Sequence, residues 1–368
     1  MWRSDVPYDT LATQLVGSYA KPQWLVDLSK PTAIDQSEWW RVPPERLPAA
    51  QDDAVLLAIA DQERAGLDYV TDGEQRRQSF SGYFMRLGGI DTENWSDRYG
   101  EGARRTSDVA DYISIRDVSR LRTGMMRMGP TVIGPIRWEG PLSVADLEFL
   151  RRHTSRRSKV TVIGPATLAV RIADRYYGDM GRLMLALADA LNQEVRALAA
   201  AGADLIQIDD PELHFNQSRV RDWATEALSR TVAGVEARTA AHICYGYAQN
   251  IASKRVNPAY AEAMRMIAAS DVDEISIEYE QPGHEPDVLE HAGEKAVILG
   301  LLNLAPEAPV ERTEHIIARA RAALEVLPPE RLRLAPDCGM WFLPRERAQR
   351  KISALAAASR ALLTELGL

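Results

Sequence analysis

The sequence predicts a TIM (β/α)8 barrel on three observations. Eight short apolar or β-branched runs alternate with stretches whose apolar residues recur at helical spacing. Chemically useful polar residues fall at or just after the C-terminal ends of these runs, the rim on which barrel enzymes build their sites. Two distant segments also repeat one helix, glycine and strand unit in the same order.

The runs expected to be strands are residues 11–16, 67–71, 160–163, 205–208, 241–244, 274–278, 296–299 and 332–335. At or near their ends stand Ser18, Glu74, Gly164-Pro165, Asp209, His242 with Cys244, Glu278 and Cys338. In the repeated unit, a helix ending at Ala65 is followed by Gly66-Leu67-Asp68-Tyr69-Val70. A second helix, through Leu183, Leu187, Leu191, Val195 and Leu198, is followed by Gly202-Ala203-Asp204-Leu205-Ile206. Each glycine suits the left-handed position just beyond a helix, and each following run suits a buried strand. A doubly wound open sheet shares this alternation and is the competing architecture. Polar residues gathered at one end of so many runs favour the barrel.

From about residue 82 to 157 the rhythm breaks, which predicts an elaborated loop after the second strand, of the kind that forms lids or partner surfaces. Within it, Pro130-Thr131-Val132-Ile133-Gly134-Pro135-Ile136-Arg137-Trp138 reads as a hairpin. Near the other end, Leu343-Pro344-Arg345-Glu346 opens a long helix through Ile352, Leu355 and Leu362, with proline in its first turn. No linker or low-complexity stretch interrupts the chain, so residues 1–368 read as a single domain.

Composition narrows the function. With 368 residues, 46% of them apolar, the chain can bury a large core. Its 44 Lys and Arg against 52 Asp and Glu argue against broad capture of nucleic acid or an anionic membrane. The expected partners are small molecules or proteins. The start, Met1-Trp2-Arg3-Ser4-Asp5, lacks an apolar run behind a basic segment, and no stretch approaches the roughly 20 apolar residues of a membrane span. A cytoplasmic protein is expected. There, the two cysteines, Cys244 and Cys338, suggest metal binding or catalysis before a structural disulfide.

His242-Ile243-Cys244 places two metal-ligand side chains at i and i+2, on one face of a strand. Cys338, in Ala335-Pro336-Asp337-Cys338-Gly339, follows another strand run at the same rim. Two thiolates and an imidazole suit Zn²⁺. Glu278, closing Ile275-Ser276-Ile277-Glu278, is the expected fourth ligand, with Glu280 on the same face as the alternative. Zinc answers a problem of protonation. A free thiol titrates near ~8.5 and is mostly protonated at neutral pH, whereas a coordinated thiol is deprotonated outright. A carboxylate is the most exchangeable of these ligands and can yield to an incoming thiol. The expected chemistry is therefore thiol alkylation.

These segments, together with Val16-Gly17-Ser18-Tyr19, Asp72-Gly73-Glu74-Gln75-Arg76-Arg77, Val162-Ile163-Gly164-Pro165-Ala166-Thr167 and Ile206-Gln207-Ile208-Asp209-Asp210-Pro211, resemble the catalytic C-terminal barrel of cobalamin-independent methionine synthase. They occur in the family's order from residue 16 to the closing helix. The resemblance implies zinc on His242, Cys244, Glu278 and Cys338. It also implies that Val16, Gly17, Ser18, Glu74 and Asp209 hold homocysteine's carboxylate and ammonium, with Glu74 and Asp209 as the catalytic carboxylates. It covers the core barrel only, without the family's additional N-terminal barrel. Where the family contacts folate or protonates its leaving group, this sequence has Arg171, Phe215 and Ala305. The resemblance thus implies methyl transfer to homocysteine or a similar thiol, from a donor other than folate polyglutamate such as methylcobalamin or a corrinoid protein. Two alternatives stay open. One is epoxide opening of the epoxyalkane:coenzyme M type, with an anionic thiol held by Arg76, Arg77 or Arg171. The other is a non-catalytic, zinc-stabilised partner of a corrinoid or redox protein. His284 and His291 are expected to be solvated.

Overall fold

A computed structural model describes residues 10–28, 39–79, 82–98, 128–245, 254 and 256–368. In chain order its elements begin with α1 (Leu47–Ala65), β1 (Tyr69–Val70), β2 (Gly88–Asp97), β3 (Met128–Arg137), α2 (Val144–Arg152), β4 (Arg157–Ile163) and α3 (Pro165–Arg171). There follow β5 (Ala173–Asp174), α4 (Met180–Ala200), β6 (Leu205–Asp209), α5 (Glu212–Phe215), α6 (Gln217–Val232) and β7 (Arg238–Ile243). The chain ends through α7 (Pro258–Ala268), β8 (Glu274–Ile277), β9 (Ala296–Gly300), α8 (Thr313–Ala323), β10 (Leu332–Ala335) and α9 (Arg345–Leu366).

Seven strands form one parallel sheet in the order β1-β4-β6-β7-β8-β9-β10. Spatial order follows chain order, so the sheet has none of the reversal that defines a doubly wound fold. The eighth expected strand, residues 11–16, closes the ring through one parallel bridge between Thr13 and Leu334. On that side Leu11 N and Gln14 N donate to Leu332 O and Leu334 O; on the other, Tyr69 N donates to Thr13 O at 3.1 Å. This segment is no regular strand, because Leu11 sits at φ 55° and interrupts the extended backbone. The architecture is TIM-barrel-like.

Helix ends follow the sequence closely. Gly66 caps α1 at φ 87° and donates to Gln62 O and Glu63 O, while Gly202 follows α4 at φ 89°. Pro344 lies just before α9 rather than within its first turn. The apolar core divides in two. A large cluster fills the space between sheet and helices, including Val162, Leu187, Ile206, Ile243, Ile275 and Leu355. A small one, Ala12, Val16, Tyr69, Leu205, Ala240, Ile298 and Ala335, lies inside the ring of strands.

The described part of residues 82–157 contains β2 and β3, which form a separate three-stranded sheet with β5 in the order β2-β3-β5. The hairpin expected over residues 130–138 does not form. Those residues lie along and just beyond β3, which pairs antiparallel with β2. Gly134-Pro135 makes an irregularity instead of a turn: Val132 faces Ile90 and Arg137 faces Gly88, so the extra β3 residues bulge where Gly89 offers no side chain. Residues 99–127 lie outside the described residues.

The lower rim carries a repeated device. Thr13 N and Oγ1 both donate to Asp68 Oδ2 at 2.7 Å. Ser158 N and Oγ donate to Asp204 Oδ2 at 2.7 and 2.8 Å, and Thr239 N and Oγ1 donate to Asp273 Oδ2 at 2.7 and 2.9 Å. Each aspartate immediately precedes a strand, and its own N–H donates back to the carbonyl of the residue it holds. The clamps join residues 11–16 to β1, β4 to β6, and β7 to β8. Asp68→Ala leaves the Thr13 N–H without its carboxylate and is expected to lower stability by about 1–2 kcal/mol in chemical denaturation, with the slope of the transition unchanged.

Candidate metal and substrate site

The upper rim opens into a cleft of about 760 Å³. Val16, Gly17, Ser18, Glu74, Asp209, His242, Cys244 and Cys338 all line it, joined by Lys21, Trp39, Arg77, Gly339 and Trp341. Residues proposed from separate parts of the sequence therefore share one cavity, apart from Glu278.

Glu74 is held from several sides. Its backbone is left-handed at φ 54°, unusual for a residue with a Cβ, and follows Gly73 at φ 66°. Glu74 N donates to Asp72 Oδ1 at 2.9 Å, and Lys21 Nζ donates to Glu74 O at 2.5 Å. Thr161 Oγ1 donates to Glu74 Oε1 at 2.7 Å, and the Arg77 guanidinium stands 3.5 Å from the same oxygen. A Cβ on Gly17 would lie 2.5 Å from that oxygen, so the glycine is needed for the carboxylate to pack against the chain.

Asp209 ends β6, two residues beyond Gln207 on the inward face. Gln207 Nε2 donates both to Asp209 Oδ1 at 2.7 Å and to Val16 O at 2.9 Å, tying the carboxylate to the Val16-Gly17-Ser18 segment. Burial, then repulsion from Glu74, raises the Asp209 pKa to about 8, against the pull of Gln207 and of the cations Lys159 and Arg77. Asp210 points elsewhere. Its carboxylate accepts from Ala166 N, Thr167 N and Thr167 Oγ1 at the start of α3.

The candidate metal ligands His242, Cys244 and Cys338 come from one strand and two loops. His242, on β7, faces Ser276 on β8, and its Nδ1 lies 2.9 Å from Ser276 Oγ. Its Nε2 is buried without a hydrogen-bond partner among the described residues. One ligand atom from each of His242, Cys244 and Cys338 falls within a group spanning 4.8 Å. Burial, then the positive charge of Lys159, holds His242 down to about 3, so its imidazole is neutral and has a lone pair to offer. An orphaned imidazole nitrogen beside two thiols fits Zn²⁺, with the Ser276 hydroxyl fixing the ring from behind.

Glu278 stands apart from that group. It is buried just after β8, where its Oε2 pairs with Lys254 Nζ and its Oε1 accepts from Tyr245 N at 3.1 Å. Glu280 is turned away, with His315 Nε2 at 2.6 Å and Arg319 Nε at 3.0 Å. Asp337 positions this turn by accepting from Tyr279 N, Glu280 N and Gln281 N. Cys338 is registered against residues 16–18 through its neighbours. Met340 N donates to Ser18 O at 2.9 Å, and a Cβ on Gly339 would lie 2.2 Å from Ser18 Oγ.

Arg171, Phe215 and Ala305 are not among the residues lining the cleft. Phe215 and Ala305 are buried in packing. His284 corrects the expectation of solvation: it is 1% exposed, with its ring 4.7 Å from that of Tyr260 and its Nε2 3.4 Å from Tyr245 Oη. His291 is half-buried near Arg265. Sequence reasoning missed Lys21, Trp39, Trp341, Ser276 and Lys254. For Lys21 and Trp341 a signal was present, since each follows a site segment by two or three residues.

A family model described as the catalytic domain of cobalamin-independent synthase matches residues 116–361. This chain belongs to the cobalamin-independent methionine synthase family. A methionine synthase of Saccharolobus solfataricus is 30% identical over 97% of this chain and 96% of its own length. One from Sulfurisphaera tokodaii is 27% identical over 97% and 94%. Among solved structures, a B12-independent methionine synthase from Shewanella sp. W3-18-1 in complex with selenomethionine has a TM-score of 0.80 at 29% identity, covering 97% of this chain and 98% of that one. A methyltransferase from Methanosarcina mazei, at 18% identity and a TM-score of 0.60 over 97% and 95%, shares the fold. Among the described residues no helix is long and apolar enough to cross a membrane.

Asp209 carries a pH signature. Its carboxyl keeps its proton to about pH 8 when folded but only to about 4 when unfolded. The stability it confers is fully present below the unfolded value and is lost as pH rises through the folded one. Asp209→Asn, uncharged throughout, is expected to melt near the wild type at pH 4 and increasingly above it toward pH 9, measured by thermal unfolding across that range.

Proposed function

We propose that this protein transfers a methyl group to the sulfur of homocysteine or a similar thiol, from a donor other than folate polyglutamate. The observation that carries this reading is the single cleft shared by His242, Cys244 and Cys338 with Ser18, Glu74 and Asp209. A thiol-bearing amino acid has a soft end and a zwitterionic end, and the cleft offers partners for both. The relatives named methionine synthase, and the one solved with selenomethionine, support the same reading.

In this reading Glu74 and Asp209 face the ammonium, while the Ser18 hydroxyl and the backbone of residues 16–18 receive the carboxylate. Asp209, neutral in the empty site, ionises when the ammonium arrives. Arg77 and Thr161 keep Glu74 from swinging away, so the ligand meets a preset carboxylate. His242, Cys244 and Cys338 would hold Zn²⁺, with Glu278 as the fourth ligand once its carboxylate turns from Lys254. Zinc bound there would favour the acceptor sulfur as thiolate near neutral pH, the thiol proton passing to solvent. The new sulfur–carbon bond takes the methyl group as its bond to the donor breaks, and the bonding pair leaves with the donor. Packing of Phe215 and Ala305 away from the cleft supports a donor other than folate, and methylcobalamin or a methylated corrinoid protein is the proposed source. Arg77 is tied to Glu74 and Thr161, and Arg76 pairs with Asp52, so neither favours the epoxide reading.

Purified protein is expected to carry stoichiometric zinc, and Cys244→Ser and Cys338→Ser are each expected to lose most of it by elemental analysis. A variant that keeps zinc with unchanged affinity would remove that cysteine from the ligand set. Methyl transfer to homocysteine is expected from methylcobalamin and not from methyltetrahydrofolate polyglutamate, followed as methionine formed. Absence of turnover with both donors, together with no calorimetric binding of homocysteine, would sink the proposal.

A further inference from the structure

Both oxygens of the Glu278 carboxylate are engaged by protein groups. One carboxylate oxygen pairs with the Lys254 ammonium and the other accepts from Tyr245 N at 3.1 Å. Both charged side chains are enclosed, Lys254 at 0% and Glu278 at 1% exposure. The Lys254 ammonium also lies 5.5 Å from the centre of the Tyr245 ring. Anchoring is confined to the backbone on the other side, where Glu278 N donates to Tyr260 Oη and Tyr260 Oη donates to Ile243 O, both at 2.9 Å. The start of the residue is fixed while its carboxylate has reached Lys254. Tyr245 immediately follows Cys244, so a single turn of chain offers a thiol to the metal group and an N–H to the carboxylate outside that group.

A carboxylate leaving a metal inside a protein is costly unless another cation receives it, because an unpaired buried charge has lost its hydration. We propose that Lys254 is a positioning residue that receives Glu278 when it is off the metal, so that the fourth position opens to the substrate thiol without stranding a bare buried carboxylate. This rests on the zinc reading above and adds a competition: Lys254 and the metal draw on the same carboxylate. Removing Lys254 therefore tightens metal binding and weakens thiol binding, a pair of opposite changes that general loss of packing does not produce.

The test compares Lys254→Met with the wild type in zinc affinity, by competition with a chromophoric chelator, and in homocysteine affinity of the zinc-loaded protein, by calorimetry. Zinc is expected to bind about tenfold or more tighter and homocysteine about tenfold or more weaker. Lys254→Gln, which removes the charge but keeps a donor, is expected to move both affinities in the same directions and serves if the methionine variant does not fold. In a Glu278→Gln background, Lys254→Met is expected to leave zinc affinity unchanged. Persistent tightening there would assign the effect to direct repulsion of the metal and overturn the proposal. So would unchanged zinc affinity in Lys254→Met, or weakening of zinc and thiol together, with native circular dichroism retained. Failure of the wild type to bind zinc would instead strike the underlying reading.

Discussion

The structure depends on Thr13. It lies between the last and first strands of the parallel sheet, pairing with Leu334 on one side and accepting from Tyr69 N on the other. That position turns a curled sheet into a ring, and a ring directs every strand end to one rim. Three residues later the same segment becomes Val16-Gly17-Ser18 and enters the cleft. Ring closure and this part of the cleft wall are thus continuous chain. Gly17 packs on the Glu74 carboxylate, Ser18 meets Gly339 beside Cys338, and Val16 shares Gln207 with Asp209.

The cleft concentrates buried charge, and its pattern follows from what each group can reach. Lys159 lies inside the ring, its Nζ donating to Gln14 Oε1 and Leu15 O, and burial lowers its pKa to about 7. Lys21 is likewise pushed down to about 7 by burial, against the pull of Glu74 and Asp72. Asp209 moves the opposite way. Acids and bases have thus drawn toward a common range.

Much of this was legible because barrel strands are buried on both faces and end at polar loops. Runs such as residues 205–208, with Asp209 just beyond, state both facts in a few letters. The helix-glycine-strand repeat also had a physical basis, since Asp68 and Asp204 occupy equivalent places and make equivalent clamps. What escaped was whatever depends on a distant partner. Gly134-Pro135 carries a turn signature, yet Gly89 across the sheet makes it a bulge. Lys254 reads as an ordinary surface lysine until the fold sets Glu278 against it. His284 lies in a Gly-His-Glu-Pro loop that looks solvated, and its burial against Tyr260 and Tyr245 shows otherwise. The short residue 11–16 segment was placed correctly, but its irregular backbone at Leu11 was not visible in its apolar pattern.

The aspartate clamps divide the labour of the fold by height. They bind strands in twos at the lower rim through side chains that do not line the cleft. The cleft residues, Glu74, Asp209, His242, Cys244 and Cys338 among them, are thus carried on a frame joined at its opposite end.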